Sequence, residues 1–454
     1  MSEKRENIIR VFGLSPFLIN KQIEDLNSDF AEFRIEQDVE IVSDNINVTL
    51  NIKGKITSDI LFSHYIVRSI KFDLFKEMFF EKLISINDYA SEHFLSHTTV
   101  YTEIKSLKKE LSKFDIHITK DFKIKGHERK VREFALVFFD INSIKLKIAE
   151  SNITNSISKE FESILVERRL IKSGSNYKSI RFELFLEIFI TRIKNGHFLK
   201  EKEYCILKNN PHELMKHQLI GWLKKYIRGA NYNILKFEIE SIFYFLIIEG
   251  CVDNSKFIDN NFHKIRHLNS LFLKEINSKF CLVKQYEARI NTELSKIHFE
   301  LLNYPIYSTY RYLYTEINYF YEMYPEYFDF CKLYLNKNKK KDILWQGKEF
   351  LFYRYVLLLV TNIPLKELLH PIYICLDFSF GNQYNKFIKQ NIEKIVNLNI
   401  VFQSVPDEKT SLILSDMALY ELEDIETVVW LTPPRPIDWS ILTEKILSLR
   451  KLRT

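Results

Sequence analysis

The chain has 454 residues, 46% hydrophobic and 27% charged, with a net charge of +6. It is long enough for several domains that each bury a core, which excludes a wholly disordered or fibrous chain. So small a net charge over this length also means that any nucleic-acid role rests on local charge. Ten glycines and ten prolines predict a mostly helical protein with short connections. The N-terminal MSEKRENIIRVFG lacks an apolar leader, and the most apolar runs, SIFYFLIIEG and YVLLLVTNI, are too short to span a bilayer. A cytoplasmic protein without membrane contact is expected. Cys205, Cys251, Cys281, Cys331 and Cys375 lie far apart with no CxxC spacing, the usage of a reducing compartment, so neither a disulfide nor a zinc framework is implied.

Residues 1–66 and 67–150 read as two copies of one unit. Leu14, Ser15, Ile19, Ile23, Leu26, Phe30, Phe33 and Ile35 recur as Leu95, Ser96, Val100, Ile104, Leu107, Leu111, Phe114 and Ile116, at a constant offset of 81 residues. Alternation over 39–52 predicts two wing strands in the first copy. Only about a dozen residues precede its second helix, so this copy reads as shortened.

The second copy holds SINDYASEHFLSHTTVYTEIKSLKKEL and FKIKGHERKVR within 85–132. The order is short helix, tight turn, longer helix and two-stranded wing, the plan of a winged helix-turn-helix that lays one helix in the DNA major groove. Asn87 or Asp88 is expected to cap the first helix and Ser96 the second. Val100, Ile104, Leu107 and Leu111 commit one face to the core. The other face offers Ser96, His97, Thr98, Thr99, Tyr101 and Thr102 for base edges and phosphates, then Lys105, Lys108 and Lys109 for the backbone. Lys123, Lys125 and Arg129 add cations from the wing side. His93 and His97 straddle the turn with no third ligand nearby, so no metal site is expected.

Charge separates the copies. Residues 15–40 hold two cations against seven acids, a net of −5, whereas 96–132 hold ten against five, a net of +5. Phosphates repel the first and attract the second, which predicts that the second copy reads DNA while the first packs or dimerises.

From 151 to 369 the pattern becomes long amphipathic helices, with apolar periodicity over 180–193, 214–227, 235–248, 263–280, 292–302 and 350–360. Two helical bundles, 151–256 and 257–369, fit. The Tyr- and Phe-rich stretch 304–330 reads as core packing, with a dimer surface as the alternative. The tail, 370–454, alternates short apolar strands with helices over 384–396 and 437–450, a small α/β domain with parallel strands. Cys375 lies inside its first strand and reads as a buried structural thiol.

This order resembles the Mga family of transcriptional regulators, which includes the anthrax toxin activator. The resemblance covers nearly the whole chain. It is carried most specifically by LSHTTVYTEIKSLKKEL, by IKGHERKVREF with Gly126, Glu128 and Arg132 in the pattern G-x-E-x-x-x-R, and by RIKNGHFL over 192–199. It implies a mainly α, multidomain chain: two winged helix-turn-helix units, two helical phosphotransferase-system regulation domains and a C-terminal α/β domain similar to enzyme IIB. It implies a homodimeric, non-enzymatic activator of virulence, surface or sugar-responsive genes that binds double-stranded promoter DNA and needs no cofactor. Phosphotransferase-system phosphocarrier proteins are further implied partners. Family members under phosphorylation control carry a phosphoaccepting histidine in a helix of each bundle. The corresponding stretches here, 180–192 and 350–360, contain none, which leaves His197, His212, His263 and His267 as candidates. An enzyme IIB also needs a thiolate just after its first strand, where this chain has Phe378 and Ser379, so no phosphotransfer is expected. The alternatives are a phosphotransferase-linked scaffold acting through protein contacts, and an RNA-binding antiterminator, which would open with a small β-domain instead.

Overall fold

The structure is a computed structural model and describes residues 2–54, 56–140, 159–161, 163–166, 176–200, 213–225, 227, 231–251, 258, 262–280, 284–311, 317–340, 342–364, 370–395, 398–417, 425–430 and 433–451. The chain divides into two compact units, Met1–Ile206 with His212–Ser241, and Leu207–Pro211 with Ile242–Thr454. Among the described residues no helix is long and apolar enough to cross a membrane.

The first unit opens with a strand that the sequence does not announce, β1 (Ser2–Lys4), followed by α1 (Arg5–Phe12) and α2 (Pro16–Glu32). The two strands expected over 39–52 follow as β2 (Val39–Ser43) and β3 (Asn47–Ile52), and the antiparallel order is β1-β3-β2. Asn27 ties α2 to this sheet by donating to the Ile41 carbonyl at 2.8 Å and accepting from its amide at 2.9 Å.

The second copy is longer at its start. It runs α3 (Ser58–Val67), α4 (Ile70–Phe79), α5 (Ile86–Glu92), α6 (His97–Ser112), the antiparallel hairpin β4 (Ile116–Ile118) and β5 (Ile124–Gly126), then α7 (Glu128–Asp140). The internal repeat extends to the backbone. Gly13 (φ 63) and Phe94 (φ 54), 81 positions apart, are both left-handed, as are Arg34 (φ 58) and Asp115 (φ 60). Ser15 and Ser96 each cap the helix that follows. Gly126 is required by space, because a Cβ there would lie 2.8 Å from the Asp115 carbonyl oxygen across the hairpin.

The core of this copy is aromatic. Phe75 of α4 packs 4.2 Å from Phe138 of α7, and Phe72 stacks on the same ring at 5.0 Å. The later helices begin with α8 (Asn176–Lys194) and α9 (Glu213–Leu223), and α10 (Tyr232–Ile248) follows in sequence.

The second unit contains α11 (His263–Phe280), α12 (Lys284–Asn303), α13 (Pro305–Arg311), α14 (Asn318–Met323), α15 (Pro325–Lys337), α16 (Asp342–Gln346) and α17 (Lys348–Asn362). Phe272, Ile276, Leu294, Ile297, Tyr355 and Leu359 share one core. In the aromatic stretch, Tyr304, Tyr307, Phe320, Tyr327 and Phe330 are buried, while Tyr310, Tyr319 and Tyr321 stay exposed. The tail supplies β6 (Ile372–Asp377), α18 (Asn382–Ile395), β7 (Ile400–Gln403), β8 (Thr410–Ser415), β9 (Thr427–Val429) and α19 (Pro436–Lys451). Its sheet is parallel throughout, in the order β7-β6-β8-β9, with Ile374 of β6 facing Phe402 and Leu412.

Candidate nucleic-acid interface

The α6 helix starts where the Ser96 side chain accepts from the Thr99 amide at 3.0 Å. The preceding helix is capped by Ser85, whose Oγ accepts from the Asp88 amide at 3.1 Å, rather than by Asn87 or Asp88. Those two residues already lie in the first turn of α5, and Asp88 there takes the Ser85 hydroxyl proton at 2.6 Å. Val100, Ile104, Leu107 and Leu111 are all buried, as their spacing predicts. Ser96, His97, Thr98, Thr99, Tyr101, Thr102, Lys105, Lys108 and Lys109 are all exposed. The Thr102 hydroxyl donates to the Thr98 carbonyl at 2.8 Å, which leaves its oxygen turned outward as an acceptor.

Ion pairing sorts the lysines of this region. Lys113 is held by Glu110 at 2.5 Å, Lys130 by Asp115 at 2.5 Å and Lys123 by Glu81 at 2.7 Å. Among the described residues, Lys105, Lys108 and Lys109 have no ion-pair partner, so three uncompensated cations line the face of α6 opposite its core. Lys125 is exposed on β5, whereas Lys123 and Arg129 are half-buried.

Behind the hairpin lies a buried ionic network that local sequence patterns do not reveal. Glu128, at the start of α7, accepts from Arg192 of α8 at 2.9 and 2.7 Å and from Arg132 at 2.9 Å. Arg132 forks onto Glu238 of α10 at 2.6 and 3.1 Å and donates to the His197 carbonyl at 3.0 Å. Arg192 also donates to the Ile124 carbonyl of β5 at 3.2 Å. The two motifs IKGHERKVREF and RIKNGHFL are therefore joined by salt bridges. Burial alone would raise the Glu128 carboxyl, but the two guanidinium groups outweigh it and hold it below the usual range. The second carboxylate, Glu238, is pushed up by burial despite Arg132 and the Leu199 amide.

His197 belongs to the same neighbourhood. Its Nε2 lies 2.6 Å from Glu81 Oε1, on the carboxylate whose other oxygen holds Lys123. Burial pushes Glu81 up, and the hydrogen bonds from Lys123 and His197 pull it further down. Glu81 thus bridges a bundle histidine and a hairpin lysine. His263 and His267 are exposed on α11, with His263 against Arg266, and His212 lies outside the described residues. Glu81, Arg192 and Glu238 escape a local reading. The available signal is a charge inside an apolar helical run, as Arg192 is in IFITRIK.

Among the described residues no group of three metal-ligating side chains occurs. The chain matches no curated protein. Residues 55–139, which include α5, α6 and the β4–β5 hairpin, match the family model described as the Mga helix-turn-helix domain, so this segment is similar to the helix-turn-helix domain of that family.

Proposed function

We propose that the protein is a cytoplasmic transcription activator that binds double-stranded promoter DNA by laying α6 in a major groove, with the β4–β5 hairpin as its wing. The observation that carries this reading is the exposed face bearing Lys105, Lys108 and Lys109, unpaired while the neighbouring lysines are consumed by acids. Each such lysine placed on a phosphate releases condensed counterions and adds salt-dependent affinity. His97, Thr98, Tyr101 and Thr102, one turn nearer the helix start, then face the base edges. Lys123 stays on Glu81 in this reading and positions the wing, while Lys125 reaches phosphate. The acidic first copy does not read DNA. It serves packing or dimerisation, in line with a homodimeric regulator.

The bundles act as the regulatory part, and His197 is the histidine whose chemistry would be felt at the wing, because Glu81 is its partner as well as that of Lys123. Phosphocarrier proteins remain the partners proposed for such control. The tail is proposed to have the enzyme IIB architecture without its chemistry. Two features support this. Burial, with Asp377 and Asp407, pushes the Cys375 thiol up to about 11, so it is no thiolate. At the end of β6 the Ser379 amide donates to both Asp416 oxygens, at 3.0 and 3.1 Å, so a carboxylate of the chain occupies the place a phosphate would take.

The test replaces Lys105, Lys108 and Lys109 together with Ala. The fold is retained because all three are exposed, promoter binding in a gel shift is lost at physiological salt, and the slope of log affinity against log salt falls by about 3. Unchanged binding would remove α6 as the reading helix.

A further inference from the structure

The second unit contains a cleft of about 430 Å³ between α12 and α17, within the size range of small-molecule sites and too small for a folded partner. Arg289 and Arg354 line it, together with the hydroxyls of Thr292 and Thr361. Arg289 is exposed and makes no hydrogen bond or ion pair among the described residues. Arg354 is set in place by Glu300 at 3.3 Å and by the Phe350 ring at 5.7 Å from its guanidinium carbon. Both threonine protons are spent on the helix backbone. Thr292 donates to the Ala288 carbonyl at 3.1 Å and presents its oxygen as an acceptor, whereas Thr361 donates to the Leu357 carbonyl at 2.8 Å and its oxygen already accepts from the Asn362 side-chain amide at 3.1 Å. Glu293, the one carboxylate of the lining, is paired with Lys296 at 2.9 Å through a single oxygen. Ile297, Leu357 and Leu358 supply an apolar surface.

The walls are braced from behind. Buried His298 lies 2.6 Å from Asn269 of α11 through Nδ1 and 2.6 Å from the Tyr355 hydroxyl of α17 through Nε2, so one side chain of α12 locks three helices. Tyr355 and His298 directly follow the lining residues Arg354 and Ile297. A pocket braced in this way loses little order on binding.

We infer that this cleft binds a small hydroxylated organic anion, a phosphorylated or carboxylated polyol. Two guanidinium groups call for a negative group. The acceptor oxygens of Thr292 and Glu293 call for hydroxyl donors on the same molecule, and the leucines take the C–H face of a sugar. An anion without hydroxyls leaves the Thr292 and Glu293 acceptors unmet, and a neutral sugar leaves the cations unmet.

The site stands apart from the DNA-binding reading and is tested without DNA, by titration calorimetry on the full chain. The probes are glucose 6-phosphate, gluconate, glucose and inorganic phosphate. One of the first two binds, which identifies the source of the anion, and glucose and inorganic phosphate bind at least about tenfold more weakly. Arg289→Gln, an exposed change that leaves the circular dichroism spectrum intact, weakens the bound probe about tenfold. Thr292→Val, of the same shape, weakens it several-fold. Failure of both anionic sugars to bind, equal binding of inorganic phosphate, or unaltered affinity in Arg289→Gln would each overturn the inference.

Discussion

Phe94 has a left-handed backbone (φ 54) and a ring 97% exposed, at the position where the first copy of the repeat places Gly13. That conformation costs an L side chain about 1–2 kcal/mol relative to glycine, and a solvated ring recovers little of it. Phe94→Gly is therefore expected to raise the unfolding free energy by up to about 1 kcal/mol once the extra freedom of glycine in the unfolded chain is deducted, as read by urea denaturation. A clear loss of stability would mean that the ring is bound elsewhere. At this scale the sequence discloses the repeat through Leu14-Ser15 and Leu95-Ser96. It hides the turn geometry, because Phe is no turn former, and it hides which polar residue caps α5, because Ser85, Asn87 and Asp88 are all competent and only the helix start chooses among them.

Among elements, legibility follows periodicity. The apolar face of α6 and the bundle helices recur at 3.6 residues, and the β6–β9 strands are short apolar runs, with β8 buried throughout, so composition along a short window reveals them. The clamp behind the hairpin has no period. Arg192 is 64 residues from Glu128, and Glu238 is 106 residues from Arg132. Only folding shows that the Glu128 and Arg132 of G-x-E-x-x-x-R, on α7, meet the arginine of α8 and the glutamate of α10. The pairing also explains why those residues are charged at all. Two carboxylates and two guanidinium groups balance in a place with almost no water, and removing one partner strands the rest. Arg192→Met is expected to cost about 3–5 kcal/mol of stability in the first unit and to reduce hydrogen-exchange protection of 116–126 more than that of 97–112, since Arg192 also holds the Ile124 carbonyl. Adding Glu128→Gln should recover part of the loss, because it removes the stranded charge. An Arg192→Met protein as stable as the parent would show that the clamp carries no weight.

Over the whole molecule, the two compact units hold opposite kinds of buried acid-base group, which gives them opposite responses to pH. In the first unit, burial pushes the Glu187 carboxyl up to about 7, although Lys76 pulls it down. A carboxyl raised above its ordinary 4.5 costs stability when it is charged, so acidification from pH 7.5 to 5 relieves that cost. Glu128, held below its usual range, starts to lose its contribution only at lower pH. In the second unit, burial pushes the His298 imidazole down to about 3 from an ordinary 6.5. The unfolded chain then binds a proton that the fold refuses, so the stability present above pH 6.5 is lost as pH falls toward 3, roughly 2 kcal/mol of it by pH 5. Because His298 locks α11, α12 and α17 together, that loss is spread through the bundle rather than confined to one side chain. Hydrogen exchange at pH 7.5 and pH 5, corrected for intrinsic rates, should show protection falling within 263–362 while 70–140 holds or gains. His298→Gln starts less stable, having traded an imidazole that bridges two partners for a flexible amide. It never charges, so protection in its second unit should change little between the two pH values. If protection in both units of the parent protein moved together, or if His298→Gln kept the full acid response of 263–362, the assignment of that response to this histidine would be wrong.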